Sequence, residues 1–319
     1  MPALRLPRRF SAPATIGIFA ASGIVDIAAN ERAVAYFEGL GHRVVIAPHV
    51  ACRWRTFAGT DEERLDGFHQ LLADPSIDVL MQVRGGYGWS RLLHRLDYDA
   101  IAASDKIIVG FSDMTALNLA ALSRTGRVSF AGPMSAVDFG NGDVAAFMEA
   151  HFWPLLAGAS HGIDVRGSDH AYPPQLIAGT IWGGNLSLLT HLVGTPYFPA
   201  IDGGILFVEE LAEEPYAVER LFFQLYHAGI LPRQHALVLA DFKHCQPATG
   251  RYPYSMNEVV DTLRKLLPYP VLTGLPFGHV REKITLPVGG HGTLRIADNS
   301  YRLDFSAYNF DSSLARIAH

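Results

Sequence analysis

The 319-residue sequence predicts an α/β protein of two units. An N-terminal parallel α/β domain of the Rossmann or flavodoxin kind covers residues 1–150, a connection covers 151–175, and a smaller C-terminal α+β, barrel-like domain covers 176–319. Three observations predict this. From Thr15 to about Ala150, short β-branched runs alternate with amphipathic stretches, the pattern of a parallel sheet covered by helices. From about 150 to 175 (AHFWPLLAGASHGIDVRGSDHAYPP) the periodicity fails and Gly, Pro and Ser gather. Beyond that, short strands with glycine turns follow one another, separated by two helices.

In order, TIGIFAASG reads as a first strand and its turn. Residues 28–40 place Ala33, Phe37 and Leu40 at helical spacing, Gly41 stops the helix, and HRVVIAP returns as a second strand. A helix over about 61–73 leads to IDVLMQV, a third strand that stops at RGGYGWS, and KIIVGF is a fourth. Each strand delivers a polar or glycine-rich turn at its carboxyl end, the edge of an open α/β sheet at which ligands sit. In the second unit QLIAGTIWGG, GILFVEE, HALVLADF, ITLPVGG and GTLRIAD read as strands, with helices near Tyr216–His227 and Met256–Leu267.

Composition excludes several functions. A net charge of −5, with Lys and Arg scattered, offers no continuous positive face to a nucleic acid. Cys52 and Cys245 are far apart and belong to no Cys/His ladder, so they read as reduced thiols, and no metal site is expected. Arg8 and Arg9 precede an apolar stretch that superficially resembles an export signal, but Pro13 and Asp26 interrupt it. With no run of about 18 apolar residues, the expectation is a cytoplasmic protein that does not cross a membrane.

The strongest local signal is KIIVGFSDMTALNLAAL, in which a buried strand runs through Gly110-Phe111-Ser112-Asp113 into an apolar-faced helix. A serine there sits on a sharp turn beside free N–H groups and the positive end of a helix dipole, which would stabilise a tetrahedral oxyanion. The same position is also an ordinary helix N-cap, for which Ser is a favoured residue. The α/β-hydrolase pattern G-x-S-x-G does not fit, because its second glycine is missing. Arg84-Gly85-Gly86-Tyr87-Gly88 could present backbone N–H groups to an anion, or be a simple glycine turn; neither a dinucleotide fingerprint nor a Walker loop is present. Glu209 ends the strand GILFV with Glu210 beside it, and His279 lies in PFGHVREKITLPVG; each reads equally as a solvated strand end or loop residue. A serine nucleophile, however, needs an imidazole to take its proton and a carboxylate to orient that imidazole.

Taken together, RGGYGWSRLL, GFSDMTALNLA, GTIWGGNLSLLTHLVGTPY, LFVEELAEEPYAVERLFFQL and GLPFGHVREKITLPVG resemble the blocks of the LD-carboxypeptidases, or muramoyltetrapeptide carboxypeptidases, the S66 serine peptidases. The likeness runs from about residue 15 to 310. It implies a triad of Ser112, Glu209 and His279, with Glu210 excluded because its side chain leaves the opposite face of the strand. It implies oxyanion donors at the backbone N–H of Asp113 and at the Gly85-Gly86 turn, with Gly86 preferred. Substrate contacts are expected from Arg84, Gly85, Tyr87, Trp182 and Asn185, with Arg84 a candidate reader of a terminal carboxylate and Trp182 a candidate stacking surface. The resemblance further implies a site in the groove between the domains, a homodimer, and no metal or organic cofactor. The implied substrate is a murein tetrapeptide cleaved at its L,D-amide bond to release D-alanine. A branch of the family, the microcin C immunity peptidases, instead cleaves aminoacyl-nucleotide conjugates; a groove that only binds peptide is the non-catalytic alternative. One departure is Ala21-Ser22-Gly23, where many relatives have Pro-Ser-Gly; it is expected to leave the triad untouched.

Overall fold

The computed structural model describes residues 2–167, 172–248 and 253–308; four residues of the expected connection, 168–171, and the last residues of the second unit fall outside them. The strands are β1 (Thr15–Phe19), β2 (Arg43–Ile46), β3 (Val79–Gln82), β4 (Ile107–Val109), β5 (Ser129–Ala131), β6 (His161–Arg166), β7 (Gln175–Asn185), β8 (Ile205–Leu211), β9 (Ala236–Lys243), β10 (Val271–Leu272), β11 (Leu286–Val288), β12 (Gly290–Ala297) and β13 (Ser300–Ser306). The helices are α1 (Ile27–Gly39), α2 (Asp61–Ala73), α3 (Trp89–Leu92), α4 (Tyr98–Ala103), α5 (Thr115–Thr125), α6 (Ala146–Ala150), α7 (Trp153–Leu156), α8 (Leu186–His191), α9 (Pro215–His227) and α10 (Met256–Leu266).

Local chemistry explains the helices that frame the site. Asp26 caps α1 by accepting the Ala29 N–H, and Ala33 and Phe37 bury its inner face, while Leu40 falls past the last turn and is half exposed. Thr60 and Glu63 close a reciprocal capping box on α2, whose first turn carries three acidic residues at the positive end of the dipole. Helix α5 ends at Gly126, which takes the left-handed conformation a β-carbon resists. Its residues from Thr115 to Leu122 are all buried, because it is packed from both sides. It contacts β5 and β11 on one side and β7 and α8 on the other.

The first sheet has the order β11-β5-β4-β3-β1-β2, with β2, β1, β3, β4 and β5 parallel. Chain order reverses between β1 and β3, the switch point beside which open α/β sheets hold their ligands. The second is a curled half-barrel of order β10-β9-β8-β7-β12-β13-β6. Its β7 to β10 are parallel, and β12, β13 and β6 continue it antiparallel.

The chain does not divide cleanly between the sheets. ITLPVGG, read from sequence as a strand of the second unit, supplies β11 instead to the edge of the first sheet, with Leu286 opposite Ala131. An edge position tolerates Pro287, whose missing N–H would break an interior ladder. The stretch expected to connect the units contributes β6 to the far edge of the second sheet.

Candidate active site

Ser112 sits at the carboxyl end of β4 with φ of +62°, a left-handed conformation that costs a non-glycine residue about 1–3 kcal/mol. A short 3-10 turn, Ser112–Met114, separates it from α5, a step the sequence does not announce. Its hydroxyl does not cap that helix. It lies 3.2 Å from His279 Nε2. The cap reading is thereby replaced by a contact across 167 positions of chain.

The other face of the imidazole meets Glu209, with Nδ1 2.8 Å from Oε2. A carboxylate only accepts, so Nδ1 carries the proton and Nε2 is left bare toward the Ser112 hydroxyl. Glu209 is fully buried, while the His279 side chain is 19% exposed at the groove surface. Glu209 Oε1 finds no partner among the described residues, which leaves the imidazole as the group that offsets the buried charge.

A β-bulge at Val208 and Glu210 lets the consecutive carboxylates of β8 serve different tasks. Glu210 accepts from Asn185 Nδ2, the Ser187 N–H and its neighbour's Leu211 N–H, so it stays away from His279.

His279 rides on the irregular segment between β10 and β11, and several contacts hold it. Lys243 Nζ donates to its carbonyl at 3.0 Å, and the Phe111 ring meets the imidazole edge-on at 5.1 Å. Gly278 has φ of +118°; a β-carbon there would stand 3.1 Å from Glu209 Cβ and 3.5 Å from Asp241 Cβ. Its absence lets the segment pass close over both carboxylate strands. Burial pushes the Asp241 carboxyl above its ordinary range. Lys283, buried, pairs at 2.6 Å with Asp138, whose side chain is 7% exposed, and lies 4.1 Å from the centre of the Phe111 ring. Neither Lys283 nor Asp138 is singled out by sequence reasoning, although Lys283 falls inside the GLPFGHVREKITLPVG block.

The Gly85-Gly86 turn reaches Ser112. A β-carbon on Gly85 would meet Ser112 Oγ at 2.7 Å, so only glycine fits this approach. The N–H groups of Gly85, Gly86 and Asp113 have no acceptor among the described residues, as donors awaiting an oxyanion would. Asp113 is 1% exposed, and burial pushes its carboxyl up to about 6.

These groups open on a groove of about 690 Å³, lined among others by Arg84, Gly85, Gly86 and Asn185. The Arg84 guanidinium already donates to the carbonyls of Ile24 and Gly85. Asn185 caps α8 and holds Glu210, a wall rather than a free reader. Two expectations need correction. Trp182 is fully buried, donates its Nε1–H to Gln234 and packs edge-on against Phe198, so it offers no stacking face to the groove. Tyr87 is half exposed, leans on Phe57 and does not line the groove.

A hydroxyl, an imidazole and a buried carboxylate in line, at the carboxyl edge of a parallel sheet, are the working parts of a serine hydrolase. Comparison with known proteins narrows the class. The family model of the LD-carboxypeptidase N-terminal domain matches residues 16–132, and that of the LD-carboxypeptidase C-terminal domain matches 178–294. The crystal structure of muramoyltetrapeptide carboxypeptidase from Oxalobacter formigenes is 40% identical and superposes with a TM-score of 0.87, covering 93% of this chain and 100% of that one. A probable murein peptide carboxypeptidase of Bacillus subtilis is 30% identical over 299 residues, 92% of either chain. The microcin C7 self-immunity protein MccF of Escherichia coli is 30% identical over 308 residues, 86% of this chain and 88% of its own. The chain belongs to the LD-carboxypeptidase family, the S66 serine peptidases, and is a serine-type carboxypeptidase. No helix among the described residues is long and apolar enough to cross a membrane.

Proposed function

We propose that this carboxypeptidase removes the terminal D-alanine from murein tetrapeptides, with Ser112, His279 and Glu209 as its catalytic set. The observation that carries the reading is the unbroken hydrogen-bonded line from Ser112 Oγ through the imidazole to Glu209 Oε2. As Ser112 Oγ attacks the carbonyl carbon on the L-centre, its proton passes to His279 Nε2. The oxyanion that forms is met by the Asp113 N–H and by the Gly85-Gly86 turn, with Gly86 the preferred second donor. His279 then returns the proton to the D-alanine nitrogen as the C–N bond breaks, leaving an acyl ester on Ser112. A water molecule deprotonated by Nε2 hydrolyses that ester, and Ser112 recovers its proton. Throughout, Glu209 holds Nδ1–H and offsets the imidazolium charge.

Similarity to MccF supports a second substrate class, the aminoacyl-nucleotide conjugates, but the burial of Trp182 removes the aromatic surface on which this chain's case for them stood. The test supplies purified protein with L-Lys- or Dap-D-Ala tetrapeptide and, in parallel, an aminoacyl sulfamoyl adenylate. D-Alanine release is expected, and Ser112→Ala should lower it by about three to four decades, with Glu209→Ala and His279→Ala also losing most turnover. Hydrolysis of the adenylate alone would overturn the murein reading, and full activity of Ser112→Ala would overturn the mechanism. The same proposal includes a cytoplasmic homodimer, checked by cell fractionation and light scattering.

A further inference from the structure

Beneath the glycine turn and the Ser112 turn lies a closed circuit of buried polar side chains outside the proton relay. Ser22 Oγ donates to Asp113 Oδ2 at 2.5 Å, and Gln82 Nε2 donates to Ser22 Oγ at 3.1 Å. Trp89 Nε1 donates to Gln82 Oε1 at 2.6 Å, and the Trp89 backbone N–H closes the ring on Asp113 Oδ2 at 3.0 Å. The second amide proton of Gln82 goes to the Arg84 carbonyl at 2.7 Å, one residue ahead of Gly85. Ser22, Gln82 and Trp89 are 0% exposed and Asp113 is 1% exposed.

Donor counting fixes the direction of every bond. Turned over, the Gln82 amide would set its oxygen against the Arg84 carbonyl and its NH₂ against the indole N–H, so one orientation survives. Packing alone does not call for this arrangement, since apolar side chains of similar volume fill a core without burying a carboxylate. What the ring does is geometric. Ser22 belongs to the turn after β1, Gln82 and Trp89 bracket the glycine turn after β3, and Asp113 belongs to the turn after β4. The first two turns flank the switch point of the sheet and the third follows on the neighbouring strand, and the second and third carry the N–H groups of Gly85, Gly86 and Asp113, which have no acceptor among the described residues. An oxyanion hole drawn from two separate turns works only if their spacing is fixed in advance. Asp113 joins both tasks in one residue, its amide facing the site and its carboxylate locked into the ring.

We propose that Ser22, Gln82, Trp89 and the Asp113 carboxylate are positioning residues that set the spacing of the two oxyanion donors. This rests on the proposed mechanism, and it gives the serine of the Ala21-Ser22-Gly23 turn a role that sequence left unassigned.

The experiment compares wild-type protein, Ser22→Ala, Gln82→Met and the double variant. One readout is the second-order rate of labelling by an alkyl fluorophosphonate. In that step Ser112 Oγ bonds to phosphorus, fluoride leaves, His279 takes the proton, and the phosphoryl oxygen enters the hole. It needs the hole but not the peptide, so it is read even if wild-type protein fails to release D-alanine, the result that would count against the substrate assignment instead. The other readout is kcat and KM on the tetrapeptide. Each single variant should label about 10- to 100-fold more slowly, below the loss for deleting a donor outright. Its kcat should fall in proportion while KM stays within about twofold. The double variant should be no more than about threefold slower than the worse single, because the ring is already open. Circular dichroism and melting identify folded variants. Should Ser22→Ala not fold, Gln82→Met carries the comparison. Folded single variants that label at the wild-type rate, or that raise KM with kcat unchanged, would overturn the proposal.

Discussion

At the scale of single residues, the site depends on atoms brought close and on one atom left out. A methyl group added at Gly85 would stand 2.7 Å from Ser112 Oγ and 2.8 Å from Ser112 Cβ, so Gly85→Ala must push the two turns apart and should lose most fluorophosphonate labelling in protein that circular dichroism shows to be folded. Labelling at the wild-type rate would show that the turn does not approach the serine. Asp113 adds a pH dependence. Its carboxyl, ordinarily titrating at 3.8, is raised to about 6 by burial, so its contribution to stability is fully present below its unfolded pKa and is lost as pH rises through about 6. A rise of that size corresponds to about 3 kcal/mol. The melting temperature of wild-type protein should therefore fall relative to that of Asp113→Asn as pH is raised from about 4 to about 7.5, since the amide does not titrate. A gap that stays constant over that range would contradict the raised pKa. Ser112, Glu209 and His279 were singled out in sequence through the resemblance to the LD-carboxypeptidases, since residue chemistry alone left each of them an ordinary cap, strand end or loop, and the structure places the three side chains within hydrogen-bond reach of one another. The burial of Trp182 was not, because an indole beside glycines reads the same whether its neighbours are solvent or core.

At the scale of elements, the His279 segment has no regular structure of its own, and cross-links hold it against the first domain. Lys283 and Asp138, with side chains 3% and 7% exposed, form a buried pair, whereas Arg281 and Asp143 pair at the surface at 60% and 80%. Lys283→Met leaves the Asp138 carboxylate buried and unpaired, and should cost about 3–5 kcal/mol. Arg281→Ala should cost under about 1 kcal/mol. Urea unfolding measures both, and equal costs would deny the buried pair its role. The longer elements were readable, α2 at its residue bounds, because caps and helical spacing are written locally. The three residues of β5 and the two of β10 were not, since such short runs become strands only when a neighbour pairs with them. Strand β11 was readable as a strand but not by sheet, because pairing partners are not encoded in the pattern of one segment. Strand β13 carries a plain alternation, with Tyr301, Leu303 and Phe305 inward, that the sequence reading passes over.

At the scale of the whole molecule, the chemistry is divided between two sheets. The first sheet brings Ser112, the proposed nucleophile, and the candidate oxyanion donors to the carboxyl ends of β3 and β4, while β8 brings the carboxylate of Glu209 and the segment after β10 brings the imidazole of His279. Helix α5, packed against both sheets, begins just past Ser112, so the interface between the units is also the floor of the candidate site. The division into an α/β unit and a half-barrel was legible because strand and helix alternate differently in the two halves. The return of β11 to the first sheet was not, and it ties the imidazole segment directly to the sheet that carries Ser112. The central claim is that Ser112 is activated across this interface by His279. Its most direct measurement is peptide mapping by tandem mass spectrometry after brief exposure to a fluorophosphonate. The account predicts one adduct, on Ser112, that disappears in His279→Ala. An adduct on another residue, or undiminished modification of Ser112 without the imidazole, would contradict it.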